Sequence, residues 1–231
     1  GGLGMRRKGD PNTYRIGPGP RVAEVDVWER FASYALVNEP ATSNQIEVMN
    51  LDTGERKVAH WYSIHPKPVS AIYTALNANW VFWEFSEPAG LFGRNLKTGE
   101  LVTIAEGPWT CVRLSATTTH LVCPSIDKGR IFTFDLAAPT PVKLDDGGAL
   151  QTQGYLSIDR MRLVWIDYRD PPGQDSTFDF GRNGGEVYLH DFTTATTSRL
   201  TYDSPDGPRG KIFPAAGTDR VVWSEPPPNT D

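Results

Sequence analysis

The chain has 231 residues, a formal net charge of −5 at pH 7, 39% hydrophobic residues and 22% charged residues. That length allows one large core or two smaller ones, and the acidic balance, with Arg6-Arg7-Lys8 as the only dense basic run, argues against a nucleic-acid surface. No run of about 18 apolar residues occurs, so no membrane-inserted helix is expected.

With 22 glycines, 19 prolines and no stretch carrying an i, i+3, i+4 apolar stripe, the chain reads as strands and turns throughout. Gly1-Gly2-Leu3-Gly4 has neither the charged nor the apolar part of a signal peptide. Leu3 to Lys8, a Gly9-Asp10-Pro11-Asn12 turn and Thr13 to Ile16 form a first hairpin. A strand through Asp26 and Glu29 leads into Tyr34 to Pro40, then Gln45 to Asp52, a turn at Thr53-Gly54, and a return over Glu55 to His60. The pattern repeats. Pro68 to Ala75, Trp80 to Glu84, Leu91 to Leu96 and Glu100 to Ala105 make a second unit, with turns at Asn77-Ala78-Asn79 and Lys97-Thr98-Gly99. A third holds Cys111, a turn centred on Thr117, His120 to Pro124, Arg130 to Leu136 and Pro141 to Leu144. A fourth runs Leu150 to Ile158, Arg162 to Asp167, Glu186 to Phe192 and Thr197 to Thr201, and a fifth begins with a turn at Thr218-Asp219 before Arg220 to Pro226.

The second strand of each unit carries the clearest signal. Val37, Trp83, Cys123, Trp165 and Trp223 align, and they recur roughly every 40–60 residues. Each unit is a four-stranded antiparallel meander with strands A to D, which is the plan of a propeller blade. Five A–B pairs meet only four C–D pairs, so the N-terminal hairpin is expected to supply the missing half. The expectation is one all-β, five-bladed propeller with units 21–60, 65–105, 109–145, 150–202, and 208–225 plus 3–17, the last blade closed by strands from both termini.

Asp159-Arg160, Leu163-Val164-Trp165-Ile166-Asp167, Glu186-Val187-Tyr188-Leu189-His190-Asp191 and Arg199-Leu200-Thr201 follow one another in unit four. With Thr218-Asp219-Arg220-Val221-Val222-Trp223 in unit five, this run resembles the TolB-like and WD40-like β-propeller repeat. Units one and two match more loosely. Unit three departs most, with Cys123-Pro124 in place of the tryptophan and Ala137-Ala138-Pro139 in place of Thr-Gly. The resemblance covers nearly the whole chain and implies the propeller fold. It implies a binding platform as the usual role of such folds, and it carries over no catalytic residue.

Trp83, Trp165 and Trp223 recur on the same strand, so they are expected between sheets, filling the wedge, with Glu84, Asp167 and Glu225 tying strand ends. Cys111 and Cys123 lie symmetrically about Thr117 and should face each other. Two readings stand: a disulfide, which suits an extracellular or periplasmic protein, or two buried thiols.

In such meanders the B–C and D–A loops leave from one end of each sheet, and that end is the expected binding surface. Trp61 and Tyr62 follow the first unit's D strand, Trp109 the second's, and Tyr202 with Arg209 the fourth's. The longest insertion, Arg169 to Gly185, contributes Asp170, Asp175 and Asp179. The leading expectation is a monomeric, non-catalytic platform for a protein or glycan partner, with ligand-binding residues Trp61, Tyr62, Trp109, Tyr202, Arg209, Asp170 and Asp175. No cofactor is expected, save calcium on the oxygen-rich Asp170, Asp175 and Asp179 loop. The alternative is a glycoside hydrolase or lyase. That chemistry needs two carboxylates roughly 5–10 Å apart, and Asp26, Glu29 and Asp167 are the candidates. For any of these loop residues the competing assignment is a solvated loop.

Overall fold

The computed structural model describes residues 3–5, 14–16, 21–37, 44–62, 73–86, 89–107, 109, 111, 113–125, 130–137, 141–144, 156–167, 185–202, 212–217 and 219–224. Every described element is a β-strand, and the chain divides into two compact units, Gly1–Trp109 and Thr110–Asp231.

The first unit opens with β1 (Leu3–Met5) paired to β2 (Tyr14–Ile16), the hairpin read from the sequence. Its first four-stranded sheet is β3 (Arg21–Trp28), β4 (Phe31–Val37), β5 (Asn44–Asn50) and β6 (Arg56–Tyr62), in that order. The second is β7 (Thr74–Leu76), β8 (Trp80–Ser86), β9 (Ala89–Asn95) and β10 (Leu101–Glu106). In the second unit, β11 (Ser115–Ala116), β12 (His120–Ser125), β13 (Arg130–Asp135) and β14 (Pro141–Lys143) form one sheet. The next is β15 (Leu156–Asp159), β16 (Arg162–Asp167), β17 (Glu186–Asp191) and β18 (Thr196–Arg199). The last pair is β19 (Ile212–Ala216) with β20 (Val221–Ser224). All pairings within these sheets are antiparallel, as short connections between successive strands require. The two halves expected to make a closing blade are separate two-stranded sheets among the described residues, β1–β2 and β19–β20.

The alternation of side chains along a strand explains the packing. Val81, Trp83 and Phe85 of β8 point the same way, against Ala35 of β4, Ile46 and Val48 of β5 and Ala59 of β6. Small residues on the first sheet leave room for the indole and phenyl rings of the second. Trp83 is completely buried and stacks on Phe92 at 6.4 Å. Phe82 points to the other face, also fully buried, and lies opposite Gly93. A Cβ on Gly93 would stand 2.8 Å from the Phe82 ring, so only glycine fits there. In the second unit Trp165, also completely buried, packs with Leu163 and Leu156 against Val122 and Ile131 of the preceding sheet and stacks on Tyr188 at 5.7 Å. Trp83 and Trp165 thus occupy the wedge as expected. Trp223, on the two-stranded β19–β20 sheet, differs: it is 37% exposed, and neighbouring Val222 is 55% exposed.

Side chains also lace adjacent sheets together. The Asp26 carboxylate accepts the backbone N–H of Leu76 at 2.7 Å, and the Ser157 hydroxyl accepts that of Ala216 at 3.1 Å. Asp26 lies opposite Ser33 and Ser157 opposite Val164, the same place in the repeat, counted from the A–B turn.

The turn end of each four-stranded sheet repeats one hydrogen-bonding plan. Asn50 and Asn95 cap their C strands by accepting backbone N–H groups two and three residues on, at 2.8 and 3.3 Å and at 2.9 and 3.0 Å. Asp135 and Asp191 accept from Ala137 and Thr193, at 2.9 and 2.8 Å. One residue later, Leu51, Leu96, Leu136 and Phe192 each donate to the carbonyl of the A–B turn: Arg30, Asn79, Thr119 and Met161, at 2.7–2.9 Å. This ties the C–D turn to the A–B turn in all four sheets.

The cysteines are bridged, with an S–S distance of 2.00 Å and a Cα–Cα distance of 5.2 Å. They are not directly opposed as expected. Ser115 pairs with Val122 and Ala116 with Leu121, so the hairpin is centred between Thr118 and Thr119 and not on Thr117, and Cys111 comes to lie opposite Ser125, two residues along from Cys123.

Candidate functional site

The first sheet's loop end is built on β6. This strand runs to Tyr62, two residues past the expected end at His60, so Trp61 sits on a strand and not in a loop. His60 turns inward and stacks on Trp83 at 5.1 Å, where burial, then the positive charge of Arg94, lowers its pKa. Alternation therefore sends Trp61 outward, and it is 61% exposed. Its cross-strand partner is Gln45, on the same face. The Gln45 amide donates to the Glu47 carboxylate, and the Tyr34 hydroxyl donates to the other Glu47 oxygen at 2.7 Å. Tyr34 is fully buried and Glu47 is 6% exposed. Burial first, then the hydrogen bond to Glu47, pushes the Tyr34 phenol above its usual range, so it stays a proton donor. A buried carboxylate is costly unless its oxygens are occupied, and here they fix the amide next to the exposed indole.

The fourth sheet's loop end has the same logic with other residues. Tyr202 is 71% exposed, and the Arg199 guanidinium lies 4.9 Å from its ring centroid. Arg199 pairs with Glu186 at 3.2 Å and donates to the Thr201 carbonyl at 2.8 Å. The Thr201 hydroxyl donates to Glu186 and accepts from Val187 N–H at 2.8 Å. Glu186 is 3% exposed and faces Asp167 across the ladder; Asp167 is 2% exposed and accepts from the Trp165 indole at 3.4 Å. An exposed ring is thus held from behind by a half-buried ion pair whose carboxylate is buried.

The remaining expected residues fall out differently. Trp109 is 8% exposed, and its indole donates to the Glu106 carbonyl at 3.2 Å, so it turns into the interior and offers no rim surface. Tyr62 lies on β6 beyond the described side chains. Arg209, Asp170, Asp175 and Asp179 lie outside the described residues. Among the described residues, no three of His, Cys, Asp and Glu gather as a metal-binding group. The carboxylates considered for sugar cleavage have other surroundings. Asp26 holds Leu76 N–H, and Glu29 is exposed in the A–B turn with φ of 51°.

The polar chain behind Trp61 was missed from sequence, although Gln45 and Glu47 are two apart on one strand and so share a face. The signal that finds it is their register with Tyr34, which pairs directly with Glu47.

No protein-family model and no curated protein sequence matches the chain. Solved structures do match. TolB from Acinetobacter baumannii is 14% identical, with a TM-score of 0.55, over 93% of this chain and 54% of that one. The chain has a TolB-like β-propeller fold. The β-propeller domain of the Trilobed protease from Pyrococcus furiosus, 11% identical with a TM-score of 0.54, covers 89% of this chain and 79% of that chain. A puromycin-hydrolysing peptidase of Mycobacterium tuberculosis, 12% identical with a TM-score of 0.54, matches 90% of this chain but 37% of its own. The chain therefore spans about half the length of the TolB it matches and a smaller share of that peptidase. At these identities the likeness concerns the fold alone.

Proposed function

We propose that the protein is a non-catalytic interaction platform that meets a protein or glycan partner through the loop ends of its sheets. The observation that carries this reading is the outward Trp61 indole beside a Gln45 amide fixed by the buried Glu47–Tyr34 pair. A rigid aromatic surface with a positioned donor and acceptor loses little entropy on binding, which is what an anchor residue requires. Tyr202, backed by Arg199 and Glu186, supplies a second anchor of the same kind. The reading also assigns Asp170, Asp175, Arg209 and Tyr62 to ligand binding on sequence grounds, with calcium on the long insertion as the one cofactor it allows. The disulfide Cys111–Cys123 supports an extracellular or periplasmic site of action.

The reading includes a five-bladed ring, in which the β1–β2 hairpin completes the blade begun by β19–β20. The Trilobed protease domain is described as having an open velcro topology, so closure is not a given for this architecture.

The test is a screen of immobilised glycans, polysaccharides and candidate proteins, with and without calcium, using wild type and Trp61→Ala/Tyr202→Ala. Reproducible binding that the double variant loses while keeping its fold supports the platform. Binding unchanged in that variant contradicts it. Turnover of a bound sugar would replace it with the glycoside hydrolase or lyase.

A further inference from the structure

One cluster of titratable groups in the second unit takes no part in the loop ends. Phe192, just past β17, lies between two histidines. His120, the first residue of β12, stacks on it with centroids 4.6 Å apart and planes at 25°. His190, on β17, meets it edge-on at 4.8 Å. His120 belongs to one sheet and His190 and Phe192 to the next, so this stack bridges two blades beside the Val122–Trp165 core. Around it, His120 Nδ1 lies 2.8 Å from the Thr119 hydroxyl and His190 Nδ1 lies 2.9 Å from the Thr197 hydroxyl. His190 is 7% exposed. We propose that the His120–Phe192–His190 stack is an acid-sensitive latch, holding the two blades together while both imidazoles are neutral and loosening when they take up protons.

The charged groups around the stack decide the sign. Asp135, paired with His120 across the ladder, and Asp191, adjacent to His190, both favour the protonated rings. Asp191 is shared, because Arg162 pairs with it at 3.6 Å. Against them stand burial, which is the largest influence on both rings, and for His190 the charge of His120 itself. Burial wins at both histidines, and each is held below its usual range. One imidazolium over Phe192 would gain a cation–π contact. Two would share a single ring and repel each other. The unfolded chain therefore takes up protons first as the pH falls below about 6.5. The stabilisation is complete above that value and is lost progressively on acidification.

The experiment is amide hydrogen exchange across β12 and β17 at pH 7.5 and 5.5, corrected for intrinsic rates. It compares wild type, His120→Gln/His190→Gln and, as a control, His60→Gln. Wild type and the control should open about fivefold or more at the lower pH along both strands, and the double variant should lose most of that response. Equal pH responses in wild type and the double variant would overturn the latch. Should the double variant not fold, NMR titration of the wild-type imidazoles decides. Depressed, mutually dependent midpoints for His120 and His190 uphold the latch, and two independent midpoints near 6.5 refute it.

Discussion

The two ends of the first sheet are built on different principles. At the turn end, the Asn50 side chain accepts the Asp52 N–H and the Leu51 N–H donates to the Arg30 carbonyl, and this pair of bonds returns in the other three four-stranded sheets. At the loop ends, among the described residues, different side chains do the work from sheet to sheet. The first sheet has Trp61 over a Gln45–Glu47–Tyr34 chain, and the fourth has Tyr202 over Arg199 and Glu186. The turn end is what a repeat needs in order to fold. The loop end carries buried charge and exposed aromatics that folding alone does not ask for, and such features are commonest where a protein meets something else.

If that division is right, changes at the turn end and in the wedge should cost stability and leave binding alone. The largest effect belongs to the wedge. Trp165→Ala should cost about 3–5 kcal/mol, since it empties the space between two sheets and leaves Asp167 without its indole donor; chemical denaturation measures it. Gly93→Ala should cost about 1–3 kcal/mol by driving a methyl into Phe82, visible as a lower denaturation midpoint with an unchanged slope. Asn95→Ala, which removes the acceptor for the Lys97 and Thr98 N–H groups, should cost about 1 kcal/mol. Arg160→Gly should do the reverse. Arg160 is held at φ of 44°, and glycine there should raise stability by about 0.5 kcal/mol in a thermal melt.

The strands that sequence made plain are those buried on both faces. In β8, β12 and β16 most residues are apolar, and Trp83, Cys123 and Trp165 each stand within two residues of a following acid or proline. The turn signals were legible in part. Thr-Gly at two C–D turns stood out, whereas the acceptor closing every C strand (Asn50, Asn95, Asp135, Asp191) is a stronger repeat that amide and carboxylate residues share. Contacts between sheets were not legible. Asp26 reads as a free carboxylate in the chain, and only the fold brings Leu76 N–H to it. Trp109 and Trp61 look alike in sequence, each following a D strand. One turned inward and the other outward because β6 continues two residues further than its apolar pattern suggests.

The most direct test of the division is a paired measurement on one bound partner from the screen, with affinity and unfolding free energy determined for wild type, Trp61→Ala and Asn95→Ala. Trp61→Ala should weaken binding tenfold or more, about 1.4 kcal/mol, while its stability stays within about 0.5 kcal/mol of wild type. Asn95→Ala should lose about 1 kcal/mol of stability and bind as wild type does. Equal losses of affinity in both variants, or undiminished binding by Trp61→Ala, would contradict a loop end made for recognition.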